Sequence, residues 1–151
     1  MTRTHFFLLL LMACVGYMAG GCSNRDDQPP GGTRGDQQME QNLPHDADGD
    51  AIRRLARDGS DLSKPMYIDF QVAVPDEASA NDLAQAAKKL GYRVAVYESS
   101  ECSLPWTCEC STRMLATHSG VCAIQRELAE LAKAFGGYPD GWGSFGNMPG
   151  K

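Results

Sequence analysis

The sequence has no surplus of basic residues, and this absence limits the kinds of partner that the protein can bind. Its 151 residues contain 14 lysines and arginines against 19 aspartates and glutamates, which gives a formal net charge of -5 at pH 7. Nucleic acids are held by clustered lysine and arginine side chains that neutralise phosphates. The acidic balance therefore argues against a nucleic-acid-binding function.

Motifs for thiol redox chemistry and for calcium binding are also missing. The six cysteines include no C-x-x-C pair, the spacing that thiol oxidoreductases normally use. The acidic stretch of Asp46, Asp48 and Asp50 lacks the glycine at position six and the glutamate at position twelve of a calcium-binding EF-hand loop. We interpret this stretch as part of a solvated linker.

The acidic and nucleophilic residues are not arranged in a pattern that predicts a catalytic site. Asp69 and Glu109 are expected on one face of a sheet, and paired carboxylates can act as the general acid and base of a catalytic site. No histidine or nucleophile is placed beside them by the predicted elements. The sequence therefore predicts a binding domain that is not an enzyme and that uses no cofactor and no small-molecule substrate.

The apolar run at the N-terminus is too short to cross a bilayer comfortably, and its surroundings predict a secretory signal peptide. Arg3 and His5 precede the apolar residues 6–15, and small residues follow. Residues 18–22, Met-Ala-Gly-Gly-Cys, resemble a bacterial lipobox, whose cysteine is lipidated and becomes the mature N-terminus. We expect removal of residues 1–21 and a lipid on Cys22 that anchors the protein in the bacterial cell envelope, on the periplasmic side of a membrane. Simple secretion and a cytoplasmic location are the alternatives.

A polar segment separates this leader from the predicted folded part. Residues 23–48 include Pro-Pro-Gly-Gly and almost no large apolar side chain, so they cannot bury enough surface to offset the entropy lost on ordering. We assign residues 22–49 to a flexible linker, residues 50–146 to one domain and residues 147–151 to a loose tail.

Alternation of apolar and polar residues predicts the strands of the domain. Residues 65–74 alternate throughout, which is typical of a strand with one buried face, and Pro75 ends the pattern. Shorter alternating patterns cover residues 92–97 and 106–114, and a brief edge strand is expected around Trp142.

Apolar residues spaced three and four apart predict three helices, at residues 51–58, 77–90 and 119–135. Asp50 and Asp76 are the expected N-caps of the first two, and Gly91 ends the second. The order of elements after the first helix is β-α-β-β-α with a possible final strand. This order predicts an α+β, ferredoxin-like sandwich, an antiparallel sheet with two helices on one face.

The polar face of the predicted sheet is the candidate binding surface. Its expected members are Tyr67, Asp69, Gln71, Tyr97, Thr107, Glu109 and Arg113. An ordinary solvated face is the alternative interpretation of the same pattern.

The cysteines in the domain leave several alternatives open. Cys108 and Cys110 are expected to point inward from one strand, with α-carbons roughly 6.5–7 Å apart, beyond easy disulfide reach. Cys122 on the covering helix could bond one of them or Cys102, so one or two disulfides are a possibility, with buried free thiols as the alternative. A metal site of Cys108, Cys110, His118 and Cys122 is less favoured because C-x-C is not the usual zinc spacing, and we predict no metal ligand.

Four short motifs point to a family. They are L-x-x-D-G-x-D-L-x-x-P at residues 55–65, P-D-E at 75–77, G-Y-x-V at 91–94 and G-G-x-x-D-G-W-G at 136–143. Together they resemble the regulator of ribonuclease activity B family, the ribonuclease E inhibitor domain, over roughly residues 50–145. The chain departs from the family at Pro139, where tyrosine usually precedes Asp-Gly-Trp.

The resemblance implies a ferredoxin-like domain that acts by binding a protein and has no catalytic residues. Ribonuclease E is cytoplasmic, so a lipid-anchored domain outside the inner membrane cannot contact it. We therefore favour a family domain used as an extracytoplasmic module that binds a different protein. A genuine cytoplasmic ribonuclease E regulator is one alternative, and a metal- or thiol-handling envelope protein is another.

Overall fold

The computed structural model describes residues 43–100 and 104–147. The described elements are α1 (Ala47–Arg57), β1 (Met66–Val74), α2 (Glu77–Lys89), β2 (Arg93–Glu98), β3 (Trp106–Met114), α3 (His118–Lys133) and β4 (Tyr138–Gly143). The strands form one antiparallel sheet in the order β2-β3-β1-β4. The order β-α-β-β-α-β with this pairing is that of a ferredoxin-like sandwich, preceded here by α1, so the predicted α+β fold is confirmed.

Several predictions fall on parts of the chain outside the described residues. These are the signal peptide, the lipidation of Cys22, most of the linker, Cys102 and residues 148–151. Among the three described helices, none combines the length and the apolar character that crossing a membrane requires.

The hydrophobic core lies between one face of the sheet and helices α2 and α3. The period-two pattern of β1 is confirmed, because alternate residues of this strand are all buried: Met66, Ile68, Phe70, Val72 and Val74. Cys108 and Cys110 on β3 face the same core, opposite Val72 and Phe70, which confirms their predicted inward orientation. The helices close the core with small and branched side chains, including Leu83 and Leu128.

Helix α2 begins as predicted and ends one residue early. The Asp76 carboxylate accepts the backbone N–H of Ser79 at 2.7 Å, which satisfies an unpaired donor at the helix start, lowers the pKa of Asp76 and confirms its capping role. Gly91 has a φ of 94°, the left-handed conformation that glycine adopts easily after a helix. The prediction is wrong for Leu90, because it is the C-cap and turns outward, with 55% of its surface exposed.

Helix α1 begins earlier than predicted. Its N-cap is Asp46, not Asp50, and the Asp46 carboxylate accepts the N–H of Gly49 at 2.8 Å. Glycine is a poor helix former, which favoured a linker at this position. The structure gives another reason for it: a β-carbon on the buried Gly49 would overlap the carbonyl oxygen of Pro44. The acidic residues 46, 48 and 50 therefore belong to the start of a helix and not to a solvated linker.

Strand β4 forms around Trp142 as predicted and accommodates Pro139 through a bulge. Pro139 pairs with Val72 and Gly141 pairs with Gln71, which leaves Asp140 as an extra residue. Proline is tolerated here because β4 is an edge strand, where one N–H face needs no partner. At the departure from the family's usual tyrosine, β4 therefore pairs with β1 on both sides of a bulge.

The C-terminal segment is held more firmly than predicted. Asn147 was expected to begin a loose tail, but its side chain accepts the N–H of Asp61 and donates to the carbonyl of Asp61, both at 2.8 Å. It also donates to the carbonyl of Lys64 at 3.1 Å. The amide of Asn147 thereby fastens the chain after β4 to the turn that follows α1.

Candidate functional site

The face of the sheet opposite the helices carries the predicted binding residues. The register places Tyr67 beside Arg113 and Gln71 beside Glu109. Tyr67 and Arg113 are exposed, whereas Asp69, Gln71, Tyr97 and Glu109 are half-buried. All six residues therefore lie on one surface, which we call the open face.

Two contacts fix side chains on the open face. The Ser111 hydroxyl donates to the Asp69 carboxylate at 2.5 Å across the β1–β3 pair. The Arg93 guanidinium carbon lies 4.9 Å from the centroid of the Tyr67 ring, a cation–π arrangement. Arg93 and Ser111 are not among the residues predicted for the binding surface, although the period-two pattern places both on the polar side of their strands.

One member of the predicted surface is not accessible. Thr107 is 1% exposed, so the prediction of a solvent-exposed position is wrong for this residue, and Ala73 beside it on β1 is also fully buried. The register sets these two small residues between Tyr97 on β2 and Tyr138 on β4 in one row across the sheet. Small side chains flanked by large ones lose their contact with solvent, which a strand period alone does not reveal.

The carboxylates considered for acid–base chemistry are not brought opposite each other. Asp69 pairs with Ser111, and Glu109 pairs with Gln71. Each acid therefore faces a neutral polar residue across the β1–β3 pair.

A second polar cluster lies on the helix side, where α1 and α3 begin close to β4. Its centre is Asp48, in the first turn of α1. One carboxylate oxygen of Asp48 accepts the indole N–H of Trp142 at 2.7 Å, and the other accepts the amide N–H of Gln125 at 2.8 Å. Asp48 thus joins α1, α3 and β4, although its partners are 77 and 94 positions away in the sequence.

His118 and Cys122 complete this cluster from the first turns of α3. The Cys122 sulfur lies 3.5 Å from a carboxylate oxygen of Asp48 and 3.7 Å from Nδ1 of His118. Nε2 of His118 lies 2.8 Å from the Asp46 carboxylate. Partial burial, and then the hydrogen bond to Asp48, raise the pKa of Cys122, which favours its thiol form.

The three cysteines and one histidine that were considered as metal ligands do not all lie together in the structure. His118 and Cys122 do lie side by side, one helical turn apart, but Cys108 and Cys110 are in the sheet core with their sulfurs 3.9 Å apart. Within the described residues, the side chains that gather as a potential metal-binding group are Asp48, His118 and Cys122, all half-buried. The four-residue set with two core cysteines is therefore wrong, and Asp48 is a candidate ligand that the sequence pattern did not indicate.

The three described cysteines do not form disulfides with one another. Cys108, Cys110 and Cys122 are free thiols. The hydrogen bond with Cys108, together with burial, raises the pKa of Cys110, which favours its thiol form. Any bond that involves Cys102 stays a prediction, because that residue lies outside the described part of the chain.

Comparison with known proteins gives one family. The family model described as regulator of ribonuclease activity B matches residues 45–144 of the 151-residue chain. The match begins one residue before the N-cap of α1 and ends one residue after β4, so it spans every described helix and strand. A search of curated proteins found no match.

Proposed function

Because the chain belongs to the regulator of ribonuclease activity B family, we propose that it is a non-enzymatic regulatory domain that acts by binding another protein through the open face of its sheet. The observation that carries this proposal is the family match across all of the described elements. A regulator of another enzyme acts through a protein contact and needs no catalytic residues of its own.

The chemistry of the open face supports a protein partner. Aromatic residues and arginine are enriched at protein interfaces, and this face presents Tyr67, Arg93 and Arg113 together. Among the described elements, helices α2 and α3 cover the other face of the sheet, which leaves this face for a partner. The contact between Arg93 and Tyr67 holds the ring in place before binding, which reduces the entropy lost on association.

We further propose that the domain is displayed in the bacterial cell envelope as a lipoprotein anchored at Cys22. The basic start, the apolar run and the lipobox-like residues 18–22 support this location. An envelope location separates the domain from cytoplasmic ribonucleases, so its partner there would be an envelope protein. The second candidate is a cytoplasmic regulator of ribonuclease E, which the family match favours.

Processing of the N-terminus distinguishes these two locations. In the native host, we expect the mature chain to lack residues 1–21, to carry a diacylated Cys22 and to sediment with membranes. Intact-mass analysis after cell fractionation measures all three properties. An unprocessed chain in the soluble cytoplasmic fraction would contradict the envelope proposal and make inhibition of ribonuclease E the next assay.

Charge reversal on the open face tests the binding surface. We expect the double variant Glu109→Lys, Arg113→Glu to lower the recovery of the partner about tenfold or more, because placing like charges together at an interface costs several kcal/mol. The measurement is a quantitative pull-down with the full chain as bait, from the compartment in which the native protein is found.

A matched control lies on α3. Glu130 and Lys133 form an exposed ion pair on the helix layer, at 2.6 Å, and the double variant Glu130→Lys, Lys133→Glu makes the same kind of change away from the sheet. We expect this control to recover the partner as the unmodified chain does. Equal recovery with both double variants would refute the assignment of the open face.

A further inference from the structure

We propose that Asp48, His118 and Cys122 form a binding site for one zinc-like divalent cation, with each residue supplying one ligand atom. This site lies at the start of α1 and α3, on the helix side of the sheet. It is separate from the open face and does not depend on the regulatory function proposed above.

The distances between the donor atoms fit a tetrahedral zinc ion. Zinc bonds of about 2.3 Å to sulfur and about 2.0–2.2 Å to nitrogen and oxygen place neighbouring ligand atoms about 3.4–3.6 Å apart in a tetrahedron. The Cys122 sulfur lies 3.5 Å from a carboxylate oxygen of Asp48 and 3.7 Å from Nδ1 of His118. The three ligand atoms all lie within 4.8 Å of one another. Both distances to the sulfur therefore match the tetrahedral spacing, and the distance from Asp48 to His118 needs a side-chain movement of about 1.4 Å or less to match it.

The surroundings of the cluster orient the ligands as metal sites require. Histidines that bind a metal almost always place their second ring nitrogen against a carboxylate or carbonyl, which fixes the ring. Here the Cys122 sulfur lies 3.7 Å from Nδ1 and 3.9 Å from Nε2 of His118. Nε2 also lies 2.8 Å from the Asp46 carboxylate, which leaves Nδ1 as the nitrogen for an ion. Asp48 is held in the same way, because Trp142 donates to one of its oxygens and Gln125 to the other. These contacts come from residues outside the ligand set and hold two of the three ligands, His118 and Asp48, in position.

The donor set selects the class of ion. A thiolate, an imidazole and one carboxylate suit zinc, whereas magnesium and calcium prefer oxygen ligands alone. The charges of the Asp48 carboxylate and the Cys122 thiolate balance a divalent cation, and the thiol proton is released to solvent when the sulfur binds. Three protein ligands leave a fourth position for water or for a group of another molecule.

Metal titration of the full chain is the first test. We expect the reduced, metal-free chain to bind one zinc ion, measured by calorimetry, and to gain a higher melting temperature when zinc is added. Cobalt(II) in place of zinc should give the near-ultraviolet absorption of a thiolate–cobalt bond together with the visible spectrum of a tetrahedral ion. Failure to bind one equivalent of zinc, or a cobalt spectrum without the thiolate absorption, would overturn the site. This test uses the unmodified chain, so its outcome does not depend on whether substituted variants fold.

Substitutions then assign the ligands. His118→Ala and Cys122→Ser should abolish stoichiometric binding, whereas His45→Ala should not, because His45 is an exposed histidine that contacts none of the three ligands through any described hydrogen bond. Circular dichroism of each variant checks that the fold is kept. Equal zinc affinity in the His118→Ala and His45→Ala variants, or a thiolate–cobalt band that persists in Cys122→Ser, would assign the ion to other residues and refute the site.

Substitution of Asp46 tests whether its carboxylate orients the His118 ring for metal binding. Asparagine caps helices as well as aspartate does, so Asp46→Asn preserves the start of α1 while it removes the carboxylate from Nε2 of His118. We expect zinc affinity to fall about 10–100-fold, as it does when outer carboxylates of metal-bound histidines are changed. The matched variant is Asp50→Asn in the same helical turn, which should leave the affinity unchanged. The same affinity in both variants would contradict a His118 ligand oriented by Asp46.

Discussion

Replacing Phe70 with alanine should lower the free energy of unfolding by about 3–5 kcal/mol, the effect of removing a large aromatic side chain from a packed core. Phe70 is 1% exposed and lies in β1, a central strand of the sheet. Its ring is 6.5 Å from that of Trp142 on β4, so the substitution opens a cavity between two strands and the helices. Since small domains are stable by only about 5–15 kcal/mol, this variant should be near its folding limit.

Denaturant unfolding of the full chain, followed by far-ultraviolet circular dichroism with a metal chelator present, measures this change. Gln71→Ala is the matched control, because Gln71 is the next residue on β1 and points to the open face. We expect the control to change the free energy of unfolding by less than about 1 kcal/mol. If Phe70→Ala were as stable as Gln71→Ala, the assignment of the buried face would be wrong.

Substitutions of Trp142 should give the second large decrease in the free energy of unfolding. Two variants separate the contribution of its hydrogen bond from that of its packing. Trp142→Phe removes the indole N–H that Asp48 accepts at 2.7 Å, and we expect a loss of about 1–3 kcal/mol because a half-buried carboxylate loses its donor. Trp142→Ala also removes the ring that packs on Phe70. Its loss should reach about 3 kcal/mol, the low end of the range for tryptophan because the side chain is half-buried.

A double-mutant cycle with Asp48→Ala identifies the source of the Trp142 effect. If the hydrogen bond to Asp48 is responsible, Trp142→Phe should destabilise the Asp48→Ala chain less than the unmodified chain, with a coupling of about 0.5–3 kcal/mol. Thermal and denaturant unfolding of the four proteins gives this coupling. Additive effects within error would show that Trp142 stabilises the protein through packing alone.

The fold explains the most specific of the four family motifs, G-G-x-x-D-G-W-G at residues 136–143. A β-carbon on Gly137 would lie 2.5 Å from the carbonyl oxygen of Ala73, so glycine is needed where the chain passes close to β1. Gly141 has a φ of 126° at the bulge, and Trp142 connects β4 to α1. The motif at residues 136–143 therefore builds the edge of the sheet.

The sequence was most informative where one pattern determined one element. The bounds of β3 match the prediction, and those of β1 differ by one residue, because side chains that alternate between core and solvent leave a clear period. The start of α1 was not predictable in this way. Its first turn contains two acidic residues and a glycine, which are also typical of linkers. The close approach of the Pro44 carbonyl oxygen is what makes glycine suitable there.

The two surfaces differ in how far the sequence could predict them. The open face follows from strand period alone, apart from Thr107, whose burial depends on the neighbouring strands. The cluster at the helix starts depends on the tertiary approach of Asp48 to residues more than 70 positions away. The four-residue spacing of His118 and Cys122 was its one local signal, and that spacing could not identify the third residue.

The bulge in β4 also has a consequence for association with other chains. An exposed sheet edge can template the addition of a foreign strand, in ordered complexes and in aggregates alike. Pro139 has no N–H to donate and Asp140 interrupts the ladder, so the β4 edge is a poor template. The opposite edge, β2, is a regular six-residue strand with Arg93 and Glu98 at its ends. Any chain that extended this sheet would therefore join at β2 and lengthen the open face on the side of Tyr97.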